Sequence, residues 1–370
     1  MHAISENVEP RIAILGAGLL GRLMAYHLKD HAKVFLYDKD QGDAKQSAAY
    51  LAAAMLAPLA ESAESSIGVM RLGEYCLERW KEILADLPES VFFQQNGSLL
   101  LAFEQDRSSL QNMQNNLKAR NFQKVDSQGI ANLEPEINQR FQVGLFLPDE
   151  GQLDNRHLLK VLAKVLQNSK SVNWQTGVDA QIDGSNVSIN GLKNSFDWIL
   201  DCRGLGSKPD QADLRGVRGE VIRLRAPDVN LHRPVRLMHP RYPIYIAPKP
   251  NHEFVVGATQ LESEDQRKAT VRSTLELLSA CFSVHSGFAE AEILSNESGL
   301  RPAYLDNEPQ MRVSGNVISL NGLYRHGYLL SPLLVDMCVA HILDEMINPY
   351  FCEQMPHILK IDSGNMEVLA

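Results

Sequence analysis

The first forty residues carry a short apolar run at 11–15, helically spaced apolar positions at 19–28 and a second apolar run at 34–37. Glycines separate the first two, so the pattern predicts strand, tight turn, helix and strand, a βαβ unit opening the chain. Residues 67–87 repeat the helical spacing. Residues 91–103 read as two strands turned back at Asn96-Gly97, a dipeptide that favours hairpin turns. Segments 110–119 and 156–167 read as helices, and 198–201 as a buried strand running into Arg203-Gly204-Leu205-Gly206. Three strand-like stretches follow at 217–224, 244–247 and 254–257, the last two joined across Pro250-Asn251. Segment 272–281 predicts an amphipathic helix, 317–320 a strand and 332–346 a long apolar helix.

The α/β pieces lie at both ends and in the middle, with strand-rich pieces between them. An α/β protein of two interleaved domains is therefore expected, each discontinuous in sequence. A length of 370 residues suits two domains.

Composition narrows the partners. With 44% hydrophobic and 22% charged residues the chain has ordinary globular usage. A net charge of -9 would repel a phosphate backbone, which disfavours nucleic acid. The apolar segment 48–60 is interrupted by Pro58 and falls short of the roughly 18 residues of a membrane span. Residues 1–10 lack a secretory pattern, so a cytoplasmic protein is expected. The five cysteines, Cys76, Cys202, Cys281, Cys338 and Cys352, form no C-x-x-C pair and read as reduced thiols.

The most specific motif is Gly16-Ala17-Gly18-Leu19-Leu20-Gly21, a G-x-G-x-x-G between strand and helix. Gly16 permits the turn, Gly18 lets backbone approach a pyrophosphate, and Gly21 lets helix and strand pack closely. Asp38, followed by Lys39, stands at the offset of the acid that accepts a ribose hydroxyl, and its charge opposes a 2′-phosphate. A dinucleotide is expected. NAD and FAD share the atoms this motif reads.

Four later segments decide between them. They are Ala53-Ala54-Met55-Leu56-Ala57, then Ile244 to Pro248 with Val255-Val256-Gly257-Ala258-Thr259, then Gly299-Leu300-Arg301-Pro302, and Asn321-Gly322-Leu323-Tyr324-Arg325-His326-Gly327-Tyr328. In this order, after the opening fingerprint, the chain resembles the glycine oxidase and D-amino acid oxidase family of flavoproteins over nearly its whole length. The resemblance implies a Rossmann-like FAD-binding domain (1–87, 145–215, 300–370) interleaved with a mixed-sheet α+β substrate domain (88–144, 216–299). It implies FAD contacts at Gly16, Gly18, Leu19, Leu20, Gly21, Asp38, Lys39, Ala53, Ala54, Met55, Gly204, Gly322, Arg325, His326, Gly327 and Tyr328. Tyr245, Arg301 and Arg325 fall on substrate-side positions. A guanidinium can hold a carboxylate through two charge-assisted bonds, and a phenol can add a third.

The chain departs from the family at Arg241-Tyr242-Pro243, which bears on the choice of amine, and at Arg203, where many relatives carry a small residue. No cysteine stands in 321–327, where sarcosine-oxidising relatives tether flavin, so FAD is expected to be non-covalent. The expected reaction is hydride transfer from the carbon beside the nitrogen of glycine, sarcosine or a D-amino acid to the flavin, giving an imine. Oxygen as acceptor would yield hydrogen peroxide. A quinone or protein acceptor would make the chain a D-amino acid dehydrogenase, and an amine on a macromolecule is a further reading. FAD kept only as a structural prop would be favoured if Arg301 faced away from the flavin. Such glycine oxidases serve thiamine synthesis. No general acid or base is assigned, and His239 and His326 read as structural loop histidines. No metal is expected, and a homo-oligomer is compatible with the sequence.

Overall fold

The computed structural model describes residues 9–61, 65–117, 120–238 and 244–362. The opening unit forms as expected. Arg11–Leu15 and Lys33–Asp38 are parallel neighbours joined by the helix Leu19–Leu28. They belong to a seven-stranded sheet ordered Leu359–Ile361, Gln310–Ser314, Val317–Asn321, Trp198–Asp201, Arg11–Leu15, Lys33–Asp38, Val172–Thr176. The last five of these run parallel, and Gln310–Ser314 reverses direction.

A parallel sheet must be covered on both faces. Ile12, Ile14, Leu36 and Leu200 pack under the helices Leu19–Leu28, Asn155–Asn168 and Gly327–Ile342. Ala13, Leu15, Tyr37 and Ile199 pack against Val187 and Phe196, from the meander Gln181–Asp183, Asn186–Ile189, Leu192–Ser195 and its flank.

The helix expected at 332–346 instead spans Gly327–Ile342 and carries Pro332 inside it. Proline removes the N–H that would bond the carbonyl four residues back, at Tyr328. That carbonyl accepts from the buried Trp80 Nε1 at 2.6 Å, so the helix continues through the proline. Local spacing alone places the helix start at the proline, because the partner that satisfies Tyr328 is 248 residues away.

The second large sheet has eight strands, ordered Glu292–Ala303, Arg215–Arg225, Glu253–Gly257, Ile244–Lys249, Val235–Met238, Ser98–Ala102, Val143–Leu147, Gln123–Asp126. All neighbours are antiparallel except Val235–Met238 against Ser98–Ala102. Its strands alternate. Ile222, Leu224, Ile244, Ile246 and Val256 face a core closed by Leu277, Cys281 and Val284 of the helix Val271–Val284.

The expected hairpin at Asn96-Gly97 is not one. Phe93–Gln94 pairs with Gly151–Leu153, while Ser98–Ala102 joins the large sheet. Gly97 does turn the chain at φ +84°, but its N–H donates to the Glu150 carbonyl and Asn96 Nδ2 to the His232 carbonyl. The turn therefore passes the chain between two sheets. No described helix is long and apolar enough to cross a membrane.

Candidate active site

Three glycines of the fingerprint do three jobs. Gly16 has φ +96°, and a Cβ there would lie 2.6 Å from the Cys202 carbonyl oxygen; a Cβ on Gly21 would lie 1.8 Å from the Gly16 carbonyl oxygen. Gly18 meets nothing closer than Ser47 Cβ at 3.7 Å, so its missing side chain keeps open the cavity in front of it. Gly18 is also the N-cap of Leu19–Leu28 and no side chain caps that helix. Its first-turn N–H groups and the positive end of the dipole are left for an anion, as a pyrophosphate requires.

Asp38 closes the ribose side. Its Oδ2 accepts from Ala17 N at 2.6 Å and its Oδ1 from Asp40 N at 2.9 Å, which fixes the carboxylate at the cavity wall with acceptor capacity left over.

The cavity measures about 610 Å³, within the roughly 300–1,000 Å³ of cofactor clefts. Among the expected cofactor residues Gly16, Gly18, Leu19, Leu20, Asp38, Lys39, Ala53, Ala54, Met55, Gly204, Arg325, His326, Gly327 and Tyr328 line it. Gly21 and Gly322 do not. Gly322 has φ +76°, and a Cβ there would lie 2.2 Å from the Tyr304 ring, so it acts through packing. Ala53 and Ala54 lie outside any helix, Ala54 at φ +51°, and Met55–Leu56 pairs with Gly151–Leu153. Arg203, the departure from the family, reaches Asp201 at 2.9 Å and Asp210 at 2.5 Å and so serves as a structural ion pair at the wall.

The eight-stranded sheet supplies the other wall. Gly219 pairs with Gly299, and Tyr245 and Val221 both pair with Gly257, so these positions share one face with Arg301. The glycines make room for large polar side chains. A Cβ on Gly219 would lie 2.4 Å from an Arg301 guanidinium nitrogen, and one on Gly257 would lie 2.6 Å from the Tyr245 phenol oxygen. Arg301 and Tyr245 therefore lie flat on the sheet, lining the cavity.

Arg301 donates to the Thr259 carbonyl at 3.2 and 3.3 Å and has no carboxylate partner among the described residues. Burial pushes its pKa down. Burial pushes the Tyr245 phenol up, against the pull of Arg301, Arg325 and Arg236.

Arg325 is engaged differently. Its Nε lies 3.1 Å from Glu61 Oε2 and one of its terminal nitrogens donates to Gln260 Oε1 at 2.9 Å. Glu61 also accepts from Arg236 at 2.8 Å. Burial raises the Glu61 pKa, but Arg325, Arg236 and His326 outweigh it and hold the carboxyl at about 2. His326 is buried with Nδ1 3.6 Å from Glu61 Oε2, and burial pushes it down to about 4, leaving it neutral. Behind Arg236, burial raises Glu150 to about 7.

Glu61, Arg236, Gly219 and Gln260 were not singled out from sequence. A lone acid ending the apolar stretch 48–60, and an arginine inside the apolar strand Val235–Met238, were the available signals. His239 and Arg241-Tyr242-Pro243 lie outside the described residues.

A parallel sheet with an uncapped, glycine-opened helix, set against a mixed sheet that presents an arginine and a tyrosine, defines a dinucleotide-dependent oxidoreductase. The chain belongs to the DAO family of FAD dependent oxidoreductases, whose pattern matches residues 11–340. It is 35% identical over 339 residues to a Rhizobium etli protein assigned to thiamine biosynthesis as the oxidoreductase ThiO, covering 92% of this chain and 98% of that protein. It is 26% identical over 352 residues to the bifunctional protein ThiO/ThiG of Synechocystis, covering 91% of this chain and 52% of that longer protein. The fold matches the crystal structure of glycine oxidase from Bacillus cereus with a TM-score of 0.80 at 19% identity, over 92% of this chain and 98% of that one. The cofactor is FAD.

Proposed function

We propose that the chain oxidises a small amino acid, of the glycine, sarcosine or D-amino acid type, at the carbon beside its nitrogen. The observation that carries this is Arg301: a half-buried guanidinium without an acidic partner among the described residues, laid flat on Gly219 beside Tyr245 and facing the cavity. A carboxylate would supply the missing charge and accept two bonds in one plane. Tyr245 would donate a third.

FAD, when bound, supplies the acceptor for the α-hydrogen and its electron pair, and the substrate's C–N bond becomes C=N as the nitrogen releases a proton. The protein's task is then orientation and exclusion of water, with no general base required. The fingerprint, Asp38, Lys39, Ala53 to Met55, Gly204 and His326 to Tyr328 would hold the cofactor without a covalent link. Residues 1–87, 145–215 and 300–370 would form its domain, and 88–144 with 216–299 the substrate domain. The ThiO names of the two relatives above support a role in thiamine synthesis, which would go with the cytoplasmic location expected from the sequence.

The test is anaerobic. Glycine, sarcosine, D-alanine and an amine lacking a carboxylate are added in turn to the yellow protein, and the flavin band is followed. Bleaching by the amino acids and not by the simple amine is expected, then hydrogen peroxide on admitting air if oxygen is the acceptor. Bleaching by the simple amine alone would overturn the reading. Bleaching without peroxide would mark a dehydrogenase.

A further inference from the structure

Three guanidinium groups act on the Tyr245 phenol, those of Arg301, Arg325 and Arg236, and the carboxylate of Glu61 opposes them. These charges are not shared evenly. Glu61 is in contact with two of the three, Arg325 at 3.1 Å and Arg236 at 2.8 Å, and with neither bond to Arg301. Gln260 takes a further donor of Arg325. Among the described residues Arg301 has only the Thr259 carbonyl, a neutral acceptor.

Resting on the amino-acid reading above, we propose that Glu61 is a specificity-determining residue that reserves Arg325 and so limits the pocket to substrates with one carboxylate. Two features give it that effect. Glu61 itself lines the cavity, together with Arg325, Gln260, Tyr245 and Arg301, so its charge stands where a second anionic group would have to go. Among the described residues its Oε2 accepts no hydrogen bond, although it is buried and 3.1 Å from Arg325 Nε, so at that oxygen the pairing with Arg325 is one of charge alone. A second substrate carboxylate seeking Arg325 would meet an occupied guanidinium and a like charge. A single carboxylate goes to Arg301 and meets neither.

The geometry also separates this role from simple support. A purely structural acid would affect all ligands alike. Glu61 acts on the difference between ligands that carry one and two carboxylates, and that difference is what specificity consists of.

The test uses the FAD-loaded full chain and unreactive ligands, acetate and malonate, at fixed ionic strength and a pH where malonate carries two charges. Dissociation constants are read from the perturbed flavin absorbance. The parent is expected to bind acetate at least tenfold more tightly than malonate. Glu61→Gln is expected to narrow or invert that ratio by tenfold or more, chiefly by tightening malonate. Gln260→Glu places a second carboxylate against Arg325 and is expected to widen it. A parent that binds malonate as well as acetate overturns the proposal, as does a ratio unchanged in Glu61→Gln. Should Glu61→Gln not retain FAD, the parent ratio and Gln260→Glu decide: a ratio that Gln260→Glu leaves unchanged overturns it. Failure of the amino-acid reading looks different, because then neither ligand would respond to Arg301→Ala.

Discussion

The Arg301 guanidinium rests on Gly219, whose missing side chain is the space it occupies: a Cβ there would come within 2.4 to 2.5 Å of three guanidinium atoms. Gly219 therefore sets the height of the proposed carboxylate receptor above the sheet. Gly219→Ala is expected to lift Arg301 and raise the amino-acid concentration for half-maximal flavin reduction at least tenfold. FAD content should be unchanged, since Gly219 belongs to the sheet that carries Arg301 and is not among the residues assigned to the cofactor. Stopped-flow reduction against substrate concentration measures this, and an unaltered half-saturation point would show that Arg301 is not the receptor or is not held by Gly219.

Arg301→Ala should act on binding before rate. A carboxylate is held nearly alike in ground and transition states, so losing the grip removes uniform binding. The loss should be roughly 2 to 5 kcal/mol, and Arg301→Lys should recover little of it, because a point charge cannot reproduce the planar fork. Oxidation of glycine, sarcosine and D-alanine by Arg301→Ala at parental efficiency would contradict the assignment.

Asp38→Ala removes the acceptor that fixes Ala17 N and faces the ribose position at once. Each charge-assisted bond is worth roughly 1.5 to 3 kcal/mol, so FAD affinity should fall by about tenfold or more while the fold persists. Asp38→Asn, which keeps one acceptor, should fall between. Reconstitution of apo-protein followed by flavin fluorescence gives the constants. Equal affinities across the series would reduce Asp38 to a loop anchor.

What the sequence made legible was local. The fingerprint, Asp38 and the opening βαβ unit lie within 28 residues and carry their own period and turn chemistry, and Arg301 and Tyr245 lie in segments whose order resembles a family. The charge arrangement was not legible, because Glu61, Gly219, Arg236 and Arg301 converge from separate strands and helices, and nothing in a glycine inside a strand names the side chain that will cover it. Asn96-Gly97 shows the same limit. Its turn chemistry was read correctly, but the strands on either side are claimed by different sheets, a choice made by partners at Glu150 and His232. At Pro332 a local rule was overridden by one distant donor, Trp80.

Glu150 offers a prediction in pH. Its carboxyl is buried, accepts from Ala60 N at 2.6 Å and from Ser98 Oγ, and stands near Arg236. Burial is the largest influence and raises it to about 7, with Arg236 opposing. The folded state therefore holds this proton at pH values where the unfolded chain, near the ordinary 4.5, has released it. With a raised folded pKa, the contribution is fully present below about 4.5 and is lost as pH rises through 7. Glu150→Gln keeps the shape and an acceptor for Ala60 N but cannot ionise. Relative to the variant, the parent should lose stability between these limits, by at most about 3 kcal/mol from the 1.36 kcal/mol carried by each pKa unit. The gap should then hold steady above the window. Lys249, which burial lowers to about 7, changes stability only above that pH, and it does so in both proteins, so it cancels from the difference. Denaturant melts of parent and variant in steps from pH 4.5 to 8 at constant ionic strength read it directly. Curves that stay parallel across the window would mean Glu150 is ionised throughout, held by Arg236 as Glu61 is.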